Sequence, residues 1–134
     1  MVRSFQDVVA QAQPGEKSAW RAVQTWQILV CRASLHHIIT YGELAELLGY
    51  TDARPLAIIL GHILYYCQQH DLPPLNSLVV NQETGLPGAG IGMEAESIPP
   101  KHMKVFQYNW FEVVPPSMED LRLAYATGAG KEAS

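Results

Sequence analysis

The 134-residue chain is close to the usual size of one folded domain, and its 48% apolar and 16% charged residues suit an ordinary globular core. A formal net charge of −4 argues against strong non-specific nucleic-acid binding, which draws on Lys and Arg to neutralise phosphates. No apolar run approaches the ~18 residues of a membrane-spanning helix, and the first residues do not form a signal-peptide pattern. Together with two cysteines in apolar helical stretches, this predicts a cytoplasmic protein with reduced thiols and no membrane association.

In chain order, Ser4 to Gln13 predicts a first helix capped by Ser4, with Phe5, Val8, Val9 and Ala12 on one face. Pro14-Gly15 ends it, and Glu16 to about Leu35 predicts a longer helix with a wide apolar face. Trp20, Trp26 and Cys31 read as core.

Thr40-Tyr41-Gly42-Glu43 is a capping box, in which Thr40 caps the Glu43 N–H and Glu43 reaches back to Thr40. Leu44, Leu47 and Leu48 then give the core stripe of a short helix, and Gly49 its left-handed stop. Asp52 or Thr51 is the expected next cap, with Pro55 in the first turn. Leu56, Ile59, Leu60, Ile63, Leu64 and Cys67 form the apolar stripe of the clearest helix. Its opposite face presents Arg54, Ile58, Gly61, His62, Tyr65 and Gln69, and is expected to meet a partner. A short helix, a Gly stop and a longer helix read as a helix-turn-helix.

Pro73-Pro74 breaks that helix. Ser77 to Asn81 predicts a strand, Gln82 to Gly85 a turn, and Leu86 to Met93 a return strand or extended arm, together a hairpin wing. Lys104 to Val114 fits either helix or strand as a C-terminal extension. Ser117 caps a last helix with Met118, Leu121 and Tyr125 inward, and residues 128–134 are expected as a loose tail. Residues 1–127 then make one domain.

Ile39-Thr40-Tyr41-Gly42-Glu43-Leu44-Ala45, followed by Ala53-Arg54, a Leu-Pro step, Val79-Val80 and a Gly-containing turn, resembles the DNA-binding domain of the O6-alkylguanine-DNA alkyltransferase and alkyltransferase-like family. The similarity covers about residues 26–92. The resemblance implies an α+β fold, a winged helix-turn-helix, mostly helical with a small β-hairpin wing and extra N- and C-terminal helices. It also implies minor-groove binding, with Tyr41 at the backbone near a flipped nucleotide and Arg54 filling the gap the base leaves. Arg54 stands one residue closer to Tyr41 than in the family pattern, and Pro55 follows it. The family's Pro-Cys-His-Arg reaction centre is replaced here by Pro74-Leu75-Asn76-Ser77-Leu78, with neither the thiol nor the histidine of the alkyl-transfer step.

Thr40, Tyr41, Arg54, His62, Tyr65, Gln82 and Thr84 are thus the expected DNA-binding residues of a non-enzymatic protein, with double-stranded DNA as partner. No catalytic residue, cofactor or metal site is expected, since Cys67 and His70 stand at i, i+3 without a second ligand pair. Between residues 40 and 92 Arg54 is the one Lys or Arg, which favours a second reading. In that reading the chain is an acidic module, an inhibitor or adaptor that docks on a basic nucleic-acid-binding protein, of a kind a phage or mobile element would encode. The winged-helix class also allows a homodimer.

Overall fold

The computed structural model describes residues 2–81 and 99–133. Among these the chain is mostly helical, with a two-stranded parallel sheet. Helix α1 (Phe5–Gln11) is capped by Ser4, whose Oγ accepts the Asp7 N–H at 3.0 Å. It packs on α2 (Lys17–Ser34), where Phe5 meets Trp20 edge-on at 6.4 Å. Strand β1 (Ile39–Thr40) leads directly into α3 (Tyr41–Leu48), which ends at Gly49 with φ +84°. Helix α4 (Leu56–Gln69) follows, then a 3₁₀ turn (Leu75–Leu78) and strand β2 (Val79–Val80). Helix α5 (Pro100–Gln107), a second 3₁₀ turn (Trp110–Glu112) and α6 (Met118–Ala133) complete the described chain.

The core lies between α2, α4 and α6, with Leu29, Ile59, Ile63 and Leu121 fully enclosed. Trp26 sits at its centre, edge-on to Tyr66 at 5.6 Å and to Trp110 at 5.8 Å. The Trp110 indole N–H donates to the Val105 carbonyl at 2.8 Å, so the polar handle of this ring is satisfied inside. No described helix is long and apolar enough to cross a membrane.

Several expectations from the sequence change here. Residues 77–78 belong to the 3₁₀ turn, and β2 pairs in parallel with β1, Ile39 opposite Val79 and Thr40 opposite Val80. The described sheet is therefore not a hairpin; the return arm of the expected wing lies outside the described residues. Within residues 104–114, left open between helix and strand, 104–107 and 110–112 are helical, while Tyr108 and Val113 take extended backbone angles. Cys31 is exposed, because α2 turns it away from α4. Leu47 is 55% exposed, since Leu44, Ala45 and Leu48 fill the buried side of α3. Neither Asp52 nor Thr51 caps α4: the helix begins after Pro55 with no side-chain cap, and Asp52 closes the preceding turn by accepting the Arg54 N–H at 2.9 Å. Residues 128–133, expected as a tail, continue α6.

The largest correction concerns α4. The His62–Gln69 part of its supposed partner-facing side is covered by α6, while Arg54 and Ile58 stay exposed. His62 stacks on Tyr125 with centroids 4.4 Å apart and planes 8° apart, Tyr65 meets the same ring at 5.8 Å, and Gln69 donates to the Ala124 carbonyl at 2.9 Å. His62 is 1% exposed, and its Nδ1–H donates to the Ile58 carbonyl at 2.8 Å.

Burial holds the His62 pKa below its ordinary 6.5, the backbone hydrogen bond only partly opposing this. The unfolded chain therefore takes up this proton first on acidification, so the stability is full above pH ~6.5 and is lost as pH falls towards the folded value. His102 shifts the same way, also by burial. We expect the melting temperature to fall between pH 7 and pH 5, and His62→Phe, which keeps a ring against Tyr125, to flatten part of that slope. Equal slopes for wild type and variant would contradict this account.

Candidate nucleic-acid interface

The site is built by the β1–β2 pair. Burial of Ile39 and Val79 fixes the register, which places the start of α3 beside the 75–78 turn. The capping box then locks the first turn of α3: Thr40 Oγ1 accepts the Glu43 N–H at 3.1 Å, and Glu43 Oε1 accepts the Thr40 N–H at 3.0 Å. Tyr41, the first helical residue, is left 36% exposed. The expected roles of Thr40 and Tyr41 thus separate, because the Thr40 side chain is committed to the cap while the Tyr41 ring is available.

From the far side α5 completes the wall. His102 Nε2–H donates to the Ser77 carbonyl at 2.6 Å, tying the first turn of α5 to the 75–78 turn. Tyr41, Asn76, Ser77, Val79, Val80, Asn81, Pro99, Lys101 and His102 line an open cleft of about 530 Å³, within the range of small-molecule sites. No described lining residue is acidic, and the exposed Lys101 stands at the first turn of α5, which also has no acidic residue and no side-chain cap.

Three polar atoms in this wall, Asn76 Oδ1, Ser77 Oγ and His102 Nδ1, are buried without a hydrogen-bond partner. Each such atom ordinarily costs about 1–3 kcal/mol. With Nε2 donating to a carbonyl, neutral His102 carries its lone pair on Nδ1, and burial keeps its pKa below the ordinary value. The imidazole is bonded to the carbonyl of Ser77 rather than its hydroxyl, so the two side chains do not form a nucleophile–base pair.

Arg54 is exposed but not free. Its Nε and Nη2 donate to the Asp52 carboxylate at 3.1 and 2.8 Å, and this hydrogen bonding pulls the Asp52 pKa down to about 2. An ion pair at the surface is weakly held and open to exchange for a phosphate. His62 and Tyr65, expected at the groove, are enclosed under α6 and leave the interface. Gln82 and Thr84 lie outside the described residues. Cys67 is buried, and desolvation pushes its thiol up to about 11, far from a reactive thiolate. Among the described residues no group of three or more His, Cys, Asp or Glu is arranged to hold a metal ion.

His102 is the residue that sequence reasoning missed. It lies 25 positions beyond Ser77, and a spacing search aimed at metal ligands gives no sign that the two meet. The one local signal was Pro99-Pro100, a helix start that places His102 in a first turn.

No protein-family model, curated protein or solved structure matches this chain. The similarity to the alkyltransferase family therefore rests on its local sequence pattern.

Proposed function

We propose that this chain is a non-enzymatic DNA-binding protein of the alkyltransferase-like winged-helix type, which meets double-stranded DNA at the rim of the cleft rather than along the flank of α4. The observation that carries this reading is the cleft's composition: Tyr41 and Lys101 line it, with no carboxylate among its described residues, in a chain whose net charge is −4. Arg54, at the start of α4, supplies a second exposed cation once Asp52 releases it.

A fluorescence-anisotropy titration with a labelled random duplex at two salt concentrations tests this. Wild type should bind saturably and more weakly at the higher salt. Arg54→Ala and Lys101→Ala should each weaken binding to all sequences alike and reduce the salt slope by about one. Absence of saturable binding at low salt would overturn the proposal.

A second reading, an acidic module that docks on a basic nucleic-acid-binding protein, is favoured by the outer surface of α3. Glu43 and Glu46 are exposed there, Leu47 is 55% exposed, and Ile58 on α4 is 49% exposed. In that case Leu47→Asp and Ile58→Asp abolish capture of the partner, and duplex DNA does not compete for it.

A further inference from the structure

We propose that the cleft binds a phosphomonoester, with the dianionic head seated against the first turn of α5 among Lys101, Ser77 and His102. The inference does not depend on duplex binding, since it concerns a terminal phosphate rather than the diester backbone.

Two independent observations meet here. The first is electrostatic: α5 opens onto the cleft through Pro99, Lys101 and His102, and its first turn has neither a side-chain cap nor an acidic residue to answer the positive end of the helix. The start of α3 reaches the same cleft, but Glu43 already answers that end through the capping box. The second is the set of unpartnered atoms. His102 is 1% exposed, it lines the cleft, and its Nδ1 has no partner; Ser77 Oγ and Asn76 Oδ1, buried atoms of two partly exposed lining residues, have none either.

A phosphomonoester answers all three. Its oxygens accept from the Ser77 hydroxyl, from the Asn76 amide turned over to present its NH₂, and from a proton taken up at His102 Nδ1. The imidazole then donates from both nitrogens, Nε2–H to the Ser77 carbonyl and Nδ1–H to the phosphate. A neutral ligand lacks the charge that would draw the proton onto a buried ring. About 530 Å³ accommodates more than the head group, so a nucleotide-sized ester fits.

The same chemistry occurs in a free mononucleotide and at a 5′-phosphorylated strand end. Isothermal titration at constant ionic strength separates the two, using adenosine 5′-monophosphate against adenosine, and a short duplex with a 5′-phosphate against its 5′-hydroxyl form. The phosphate-bearing member of at least one pair should bind ~10-fold or more tightly than its partner. A preference in the first pair assigns a free nucleotide, and one confined to the second assigns a strand end.

Binding should also take up a proton. Between pH 6.5 and 8 the phosphate stays mainly dianionic, its second pKa being about 6, while free His102 is neutral. Affinity should therefore fall as pH rises, approaching ~10-fold per unit. The other titratable groups on the described cleft wall are Lys101 and Tyr41; His36, stacked on Phe106 at 5.2 Å, lies behind that ring, which meets His102 at 6.3 Å.

His102→Gln keeps a donor for the Ser77 carbonyl, removes Nδ1, and should lose the pH dependence together with ~10-fold in affinity. Should that variant not fold, Lys101→Ala, an exposed change, should still weaken the phosphate-bearing ligand ~3-fold or more and leave adenosine unaffected. Equal binding of phosphate and hydroxyl forms in both pairs overturns the proposal, as does a phosphate preference that neither variant alters.

Discussion

Trp26→Ala should lower the stability of the protein by about 3–5 kcal/mol, enough to leave much of the chain unfolded near body temperature. The indole is 3% exposed and faces Tyr66 and Trp110 at nearly right angles, 90° and 86°. Its removal therefore forfeits transfer energy and two edge-to-face contacts, each worth about 0.5–1.5 kcal/mol beyond the buried area. The hole would lie between α2, α4 and the 110–112 turn, where none of the three can close in without moving another. Trp26→Phe should recover about half of the loss by keeping a ring in the same slot. Urea unfolding followed by far-ultraviolet circular dichroism gives both values. A loss below about 1 kcal/mol would show that Trp26 does not organise the core.

The second large effect comes from removing space rather than creating it. Gly128 lies inside α6, and a Cβ built there would stand 2.2 Å from Tyr65 Cγ. On helix propensity alone Gly→Ala stabilises by up to about 1 kcal/mol. Against the Tyr65 ring the sign reverses, and Gly128→Ala should destabilise by about 2–3 kcal/mol, the upper part of the range for overpacking. Two comparisons make the test internal. Gly130, on the same helix, has nothing within 4 Å, so Gly130→Ala should raise the melting temperature by a few degrees. Gly61 on α4 is intermediate: its Cβ would approach Tyr125 Cε1 at 3.0 Å, a ring with some room to shift. Its substitution should fall between the two. If Gly128→Ala melted as high as Gly130→Ala, the close approach of α4 and α6 would be wrong.

What the sequence made legible was local. The Thr40–Glu43 box, the Gly49 stop, the Ser4 and Ser117 caps and the Leu56–Cys67 stripe each depend on residues within a few turns of one another, and all stand in the structure. What it concealed was decided by distant partners. Gly128 and Gly130 read as a loose tail because Gly is a poor helix former, yet the packing of α6 on α4 outweighs that preference. The Leu56–Cys67 stripe taken alone leaves His62 and Tyr65 on an open face. A fuller count, including Ile58, Tyr65 and Tyr66, marks α4 as apolar nearly all round, the pattern of a helix buried on several sides. Of the candidate site, Tyr41 and Arg54 were legible as exposed residues. The cleft itself was not, since its walls come from residues 41, 76–81 and 99–102, which only tertiary pairing brings together.

The covering of α4 by α6 also sets an order on synthesis. Gln69 reaches the Ala124 carbonyl across 55 residues, so α4 emerges from the ribosome long before the helix that shields its Gly61, His62 and Tyr65 flank. Until α6 arrives, α2 and α4 can pair, while an aromatic flank of α4 faces solvent or a chaperone. A stalled or truncated product ending before Met118 would keep that flank open, and its fate would be capture or aggregation rather than a smaller native fold.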